Sequence, residues 1–181
     1  PQDMDGRYPK VFRVSTKCAI RMVEIYREVA PHLDVYINPG NHDTFTCFYL
    51  GEVLAARYEN DPNITIHNSP ATRRYWRWGR VLVQMTHGNE EKDQDLSALM
   101  RLEAKQDWYE TDVHESHAAH KHKTEQKLKL TMSRDEALGF TLERLRSLSG
   151  TDAWHAKKGY RGTLKAIDSF VYSKEEGRVS H

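Results

Sequence analysis

The sequence has few cysteines, no long apolar run and no excess of one charge, and each absence excludes a class of protein. Its two cysteines, Cys18 and Cys47, cannot form a disulfide framework and suit a reducing compartment, so we expect a cytoplasmic protein. The apolar runs are only a few residues long, too short for a membrane-spanning helix. Because 27 Lys and Arg face 26 Asp and Glu, the net charge is only +1, and a general polyanion-coating role is not expected.

The size and composition indicate one folded domain. The chain has 181 residues, of which 38% are hydrophobic and 29% charged, and its mean hydropathy is −0.79. We find no internal repeat, low-complexity linker or break in composition, so we expect a single domain over residues 1–181. The opening Pro1-Gln2-Asp3 has neither Met nor an apolar h-region, and no signal peptide is expected.

Helical and strand patterns alternate early in the chain, which predicts a mixed α/β layered fold. Helices are predicted over 10–30, 45–58 and 95–104. In the first helix, apolar residues at steps of three and four form one stripe: Val11, Val14, Cys18, Met22, Ile25 and Val29. The second helix offers four residues to the core: Phe48, Tyr49, Val53 and Leu54.

Strands are predicted from short alternating or apolar segments. Their ranges are 33–37, 64–66, 73–78, 80–85, 128–132, 140–145 and 164–172. The segment Val81-Leu82-Val83 is apolar on both faces and therefore predicts a central strand. Polar residues just past strand ends are of particular interest, because ligands bind at that edge of layered α/β folds.

The first such polar motif is Gly40-Asn41-His42-Asp43, which follows the strand at 33–37. A glycine permits a sharp turn, so that the next side chains can project together. An Asn oxygen can ligate a metal, a His can ligate or transfer a proton, and an Asp can orient the His. An ordinary polar turn explains an isolated motif of this kind equally well.

Two further motifs contain the histidines. Thr86-His87-Gly88 follows the most apolar strand, and four of the ten histidines lie within nine residues: His114, His117, His120 and His122. On a strand, His120 and His122 would point to the same face and could serve one metal site. A solvated strand would explain the lysines nearby but not the density of histidine.

The order of the three motifs resembles that of the calcineurin-like metallophosphoesterase family. The segment 149–160 is similar to the closing stretch of phage-type and bacterial members of that group. The resemblance implies a four-layer α/β/β/α sandwich that holds two divalent metal ions, of which Mn, Fe, Zn and Ni are candidates. It also implies hydrolysis of phosphate mono- or diesters, with nucleotides and nucleic acids among the candidate substrates.

The resemblance also assigns roles to residues. It implies four metal ligands: Asn41, His87, His120 and His122. His42 would lie beside the phosphate, where it stabilises the anion or protonates the leaving oxygen, and Asp43 would hold the His42 ring. Ala119 stands where the family has glycine. In the closing segment, His155 or Lys157 could meet substrate phosphate, although a solvated loop is an equal alternative.

Two motifs that the family places earlier, Asp-x-His and Gly-Asp, are missing from residues 1–40. The aspartates there are Asp3, Asp5 and Asp34, and His32 is the only histidine. The chain therefore resembles the C-terminal portion of a metallophosphoesterase, and we expect it to be N-terminally incomplete. Without the carboxylate that bridges the two metals, their mutual repulsion is poorly neutralised, so we expect weak activity or none.

Two other function classes remain open. The segment Arg73-Arg74-Tyr75-Trp76-Arg77-Trp78 interleaves cations with aromatic rings, as a surface that binds single-stranded nucleic acid does. The pattern favours instead a half-buried hairpin strand, with Trp76 and Trp78 in the core and the arginines outside. The missing motifs also leave a non-catalytic remnant as a third interpretation.

Overall fold

The structure, a computed structural model, describes residues 7–120, 134–137, 139–148 and 165–180 of the chain. It contains helices and sheets in both of its compact units, Pro1–Thr72 and Arg73–His181. The predicted mixed α/β class is confirmed. In the part of the chain that the structure describes, every helix is too short or too polar to cross a membrane.

The first unit combines two helices with a small parallel sheet. Its elements are α1 (Tyr8–Arg27), β1 (Leu33–Tyr36), α2 (Thr44–Tyr58) and β2 (Ile64–His67). Strand β1 runs parallel to β2, with Leu33 opposite Ile64 and Tyr36 opposite His67. Helix α2 packs against β2, and α1 packs against α2. All four elements were predicted from the sequence, within a few residues at each end.

The interior of this unit is small. Among its described residues, the buried apolar side chains are Val23, Leu54 and Ile64. Of the α2 side chains predicted for the core, Leu54 is buried, whereas Phe48, Tyr49 and Val53 are exposed.

The second unit is built on a larger sheet. Its strands are β3 (Arg73–Trp78), β4 (Val81–Thr86), β5 (Val113–Ala118), β6 (Arg134–Ala137), β7 (Phe140–Arg144), β8 (Val171–Ser173) and β9 (Gly177–Ser180). Its helices are a short 3₁₀ turn (Asp93–Asp95), α3 (Leu96–Glu103) and α4 (Lys105–Tyr109). The predicted central strand is confirmed, because β4 lies inside the sheet order β3-β4-β5-β7-β6 and residues 81–83 are buried.

The register of the sheet defines two faces. Strands β4, β5 and β7 are parallel, and Leu82, His114 and Phe140 lie side by side across them. That face packs against α3 to form the main core: Leu82, Leu96, Met100, Ala104, Ala118, Phe140 and Leu142. Residues alternate along each strand, so Glu115 and Glu143 point to the opposite face, where Tyr172 and Arg178 of β8 and β9 contact them.

Three predictions for this unit are wrong or only partly right. Strand β5 ends at Ala118, and His120 has a positive φ of 52°, so His120 does not lie on a strand that it shares with His122. The final strand is limited to 171–173. Residues 165–170 form no strand because Asp168 is tied to the backbone N–H and guanidinium of Arg146, at 2.8 and 2.6 Å, rather than to a neighbouring strand.

The hairpin of β3 and β4 forms as predicted, and Arg77 is exposed as expected, but Arg74 is buried. Arg74 is buried on the same face as Trp76, while Trp78 is partly exposed. The alternation of residue types identifies the two faces of a strand, but it does not show which of the two faces the rest of the protein covers. The alternating segment predicted over 128–132 lies outside the described residues.

Candidate metal centre

Two histidines meet where neighbouring parallel strands end. His87 follows β4 directly, and His120 follows β5 after one intervening residue. Because β4 and β5 are parallel and paired in register up to Thr86 and Ala118, their carboxyl ends lie at the same edge of the sheet. The His87 Nε2 and His120 Nδ1 atoms are 3.1 Å apart, and the ring centroids are 4.9 Å apart. The structure therefore brings together two of the four predicted metal ligands.

The turn that carries His87 is held by the residues on either side of it. The Thr86 hydroxyl accepts the Gly88 N–H at 3.2 Å and donates to Glu91 Oε1 at 2.7 Å. Gly88 has a φ of +83°, and a Cβ there would lie 3.2 Å from an Arg144 guanidinium nitrogen. The backbone angle therefore favours glycine, and a Cβ at this position would require Arg144 and Ala118 to shift by a few tenths of an ångström.

The turn that carries His120 is fixed from β7. The Leu145 N–H donates to the Ala118 carbonyl at 2.9 Å, and the Arg144 guanidinium donates to the Ala119 carbonyl at 3.3 Å. The same guanidinium forms an ion pair with Asp93. The residue with left-handed backbone in this turn is His120, so alanine at position 119 is compatible with the turn.

The two imidazoles fit a transition-metal ion. Ligand nitrogens that each lie about 2.0–2.1 Å from one zinc ion are roughly 3.0–3.4 Å from each other at ordinary coordination angles, and the observed separation is 3.1 Å. The same spacing also allows one ring nitrogen to donate its proton to the other in the absence of a metal. Within residues 7–120, 134–137, 139–148 and 165–180, no group of three or more His, Cys, Asp or Glu side chains is arranged around one ion. In the part of the chain that the structure describes, the pair thus provides two candidate ligands without a third beside them.

The Gly-Asn-His-Asp motif forms the turn between β1 and α2 in the first unit. Asp43 Oδ1 accepts the Gly40 N–H at 2.7 Å, and the Thr44 hydroxyl donates to the Gly40 carbonyl at 2.8 Å. Asn41 and His42 are exposed in this turn. Burial and then the Asp43 charge raise the pKa of the Cys47 thiol to about 12, so Cys47 stays protonated.

Asp43 therefore helps to close this turn. The roles that the resemblance assigns to Asn41, His42 and Asp43 stay predictions. Three other predicted site residues, His122, His155 and Lys157, lie outside the described residues.

Two of the clustered histidines, His114 and His117, contact other residues of the fold. His114 stacks on Trp108 with ring centroids 3.7 Å apart, and its Nε2 lies 3.1 Å from the Thr111 hydroxyl and 3.2 Å from the Trp108 carbonyl. Burial lowers the pKa of His114 below its ordinary value of 6.5, despite these hydrogen bonds. His117 points to the opposite face of the sheet, 3.1 Å from the Tyr172 hydroxyl.

That opposite face carries a buried ionic network that the sequence analysis missed. Arg178 donates to Glu143 at 2.6 Å and lies 3.6 Å from Glu115. Burial raises the pKa of Glu115, but hydrogen bonds with His117 and Tyr172 and the charge of Arg178 outweigh it, so the pKa falls below the ordinary range. The network attaches the β8–β9 hairpin to the sheet. Its signal in the sequence was weak, because Glu115 and Glu143 lie in segments that contain other polar residues as well.

Arg73 and Arg77 of the Arg-aromatic segment on β3 form ion pairs with acidic residues of the same unit. Arg73 forms hydrogen bonds to the Glu103 carboxylate on α3, and Arg77 pairs with Glu110 after α4. On the other face of β3, Trp76 packs edge-on against Tyr172, with ring centroids 5.7 Å apart. These contacts favour the hairpin interpretation over a surface that binds nucleic acid.

None of the protein-family models, curated proteins or solved structures compared with the chain matches it.

Proposed function

We propose that this chain carries the metal centre of a metal-dependent phosphoesterase, built on a four-layer α/β/β/α sandwich and acting in the cytoplasm on phosphate mono- or diesters. The observation that carries the proposal is the pair of ring nitrogens of His87 and His120, 3.1 Å apart at the carboxyl ends of adjacent parallel strands. Imidazole pairs at that edge of an α/β sheet are suited to bind a divalent ion next to a substrate.

The residues that would hold the ions are His87 and His120, with Asn41 and His122 as the further ligands that the motif order suggests. When bound, two divalent ions neutralise the phosphate and supply a hydroxide near neutral pH. Every ligand in this set is neutral. We therefore expect zinc or nickel to bind more tightly than magnesium, and activity to be impaired in this chain alone.

Other residues of the chain orient the site and move a proton. The Asp43 carboxylate and the Thr44 hydroxyl close the turn that presents His42, through the amide and carbonyl of Gly40. In the proposed reaction, the His42 imidazole donates its proton to the leaving alkoxide oxygen. Thr86 and Arg144 keep the turns of His87 and His120 in place.

Isothermal titration of the 181-residue protein with zinc and with manganese tests the proposal. We expect zinc binding that is lost in His87→Ala and in His120→Ala. The matched control is His67→Ala, which removes a partly exposed histidine of the first unit. Circular dichroism of each variant confirms that the fold is retained.

Hydrolysis of p-nitrophenyl phosphate and its bis-ester, with added manganese or zinc, tests the chemistry. We expect slow turnover that is abolished by a chelator and by His87→Ala and unchanged by His67→Ala. Zinc binding without any turnover would support the non-catalytic remnant. Absence of zinc binding at the histidine pair would contradict the proposed metal centre.

A further inference from the structure

Helix α1 exposes an apolar stripe along its length. The α1 stripe consists of five residues of the helix, followed by one residue in the turn just after its end: Val11, Val14, Cys18, Met22, Ile25 and Val29. Its five large side chains are between 46% and 82% exposed, and Cys18 is exposed as well. The packed side of the helix is a different one, on which Val23 is buried and the Ile20 carbonyl accepts from the Tyr58 hydroxyl of α2 at 3.3 Å. The α1 stripe is thus a second apolar side on a helix that is already packed.

The geometry of the α1 stripe suits another straight helix. Its spacing repeats after 11 residues, in three pairs: Val11 and Met22, Val14 and Ile25, Cys18 and Val29. An 11-residue repeat is about 3.67 residues per turn, close to the 3.6 of an α-helix, so the stripe drifts little around the helix. A 20-residue helix could therefore be contacted along most of its length.

The charges beside the α1 stripe are unevenly distributed along the helix. Lys10, Arg13 and Lys17 occupy the N-terminal half, whereas the C-terminal half holds the two acidic residues, Glu24 and Glu28, together with Arg21 and Arg27. A second copy packed parallel would place the three cations beside one another. Packed antiparallel, a second copy would place its Glu28 near Lys10 and its Glu24 near Lys17, and the symmetry of the pair would repeat both contacts. The two helix dipoles would then point in opposite directions, which is the favourable arrangement.

The acidic residues are available for such pairing. Glu24 and Glu28 are 3.7 and 3.8 Å from Arg21, and all three side chains are well exposed, so these intrahelical contacts are weak. We propose that the α1 stripe is a self-association surface, on which α1 of a second copy of this chain packs antiparallel. When the two α1 helices cross near Ile20, Val11 of one copy lies opposite Val29 of the other, and Cys18 of one copy lies opposite Met22 of the other.

Sedimentation velocity of the 181-residue protein, from low to high micromolar concentration, tests the surface. We expect a reversible species of twice the 21.1 kDa mass of the chain. The double variant Val14→Gln, Ile25→Gln should remain monomeric, and circular dichroism should show full helix content, because glutamine is a good helix former. The matched control is Leu102→Gln, which removes a 76% exposed leucine from α3 and should still dimerise.

Charge reversal tests whether a second copy of the chain occupies the α1 stripe and whether the proposed ion pairs form. One variant carries Lys10→Glu and Lys17→Glu, and a second carries Glu24→Lys and Glu28→Lys. Each alone should dimerise at least tenfold more weakly than the original chain, because like charges then meet along the interface. An equimolar mixture of the two should recover the dimer, because opposite charges meet again.

Three outcomes would overturn the proposal. A monomer at every concentration would mean that something other than a second copy covers the α1 stripe. A dimer that survives Val14→Gln, Ile25→Gln would place the interface elsewhere. Failure of the mixed charge variants to reassociate would exclude the proposed ion pairs.

Discussion

The two units use similar elements, helices beside parallel strands, but they bury very different amounts of apolar surface. Among the described residues, three of the twelve buried apolar side chains belong to the first unit, which nevertheless holds eleven of the eighteen large apolar side chains that remain exposed. The second unit covers one face of its sheet with α3 and contacts the other through β8 and β9. In the first unit, α2 packs against β2, and α1 packs against α2.

This difference shows where the stability of each unit originates. Burial of apolar surface is the dominant favourable contribution to folding, so the second unit has its main stabilisation within itself. The first unit exposes apolar side chains on α1 and α2 that would stabilise it only when covered. Four substitutions test this contrast, described from the largest expected effect to the smallest.

Removal of Arg178 should cause the largest loss. In Arg178→Ala, Glu115 and Glu143 remain buried without their cation, which costs about 3–5 kcal/mol. The corresponding change in the first unit is Asp34→Ala, which breaks the partly exposed pair with His67 and should cost about 0–1 kcal/mol. The three tryptophans that the structure describes, Trp76, Trp78 and Trp108, lie in the second unit, so tryptophan fluorescence in urea measures its free energy of unfolding.

Hydrogen exchange at the amides of residues 33–67 measures the effect of Asp34→Ala on the first unit. Similar losses for the two substitutions would show that the contrast between the units is wrong. Glu176→Ala, at an exposed position in the β8–β9 turn, is the control for Arg178→Ala and should leave the fluorescence midpoint unchanged.

Truncation of apolar side chains tests the contrast more directly. Leu82 is completely buried in the main core, and Leu82→Ala should cost about 2–5 kcal/mol through lost contacts and a cavity. Val14 is 51% exposed, and Val14→Ala should change stability by less than about 0.5 kcal/mol in dilute protein. A large loss from Val14→Ala in the monomer would mean that α1 is already covered in solution.

Substitution of Gly88 should weaken the proposed metal centre more than the fold. In Gly88→Ala, a side chain must adopt a positive φ and approach Arg144 and Ala118, at a cost of about 1–3 kcal/mol. We expect zinc affinity to fall because the His87 turn shifts. Gly139→Ala has a similar φ of +76° but open space around it, so it is the matched control for backbone strain and should retain zinc affinity.

The smallest effect concerns pH. Burial holds the pKa of His114 below 6.5, so the unfolded chain binds this proton more readily than the folded one. The contribution of His114 is therefore complete above pH 6.5 and is lost as the pH falls below it. Urea unfolding followed by tryptophan fluorescence between pH 8 and 5 should show a shallower decline for His114→Gln. His32→Gln, an exposed histidine of the first unit, should retain the original decline.

Much of the fold could be predicted from the sequence because its signals are local. The steps of three and four in α1 and the apolar segment of β4 identified both elements, and Pro31 and Gly79 marked where a helix and a strand end. The short helix α4 was not predicted, because five residues carry no clear periodicity. Local patterns also did not reveal that the α1 stripe is exposed.

The candidate site was predictable only in part. His87 and His120 were identified from their motifs, and the structure places their rings together. The supporting contacts of Glu91 and Arg144 were not predicted, because they depend on which strand ends become neighbours in the folded sheet. The extension of a strand to His120 was wrong because alternation of residue types does not show where a left-handed residue interrupts the chain.

The contacts of Arg144 with residues distant in the sequence have a consequence for the order of folding. This side chain comes from β7, yet it contacts the turns that follow β4 and β5, which lie 25 and more residues earlier in the sequence. Contacts between distant parts of a chain form late, because loop closure must precede them. We expect His87 and His120 to sit on loose turns until β7 joins the sheet. Ion capture by the pair would then report the completion of folding in the second unit.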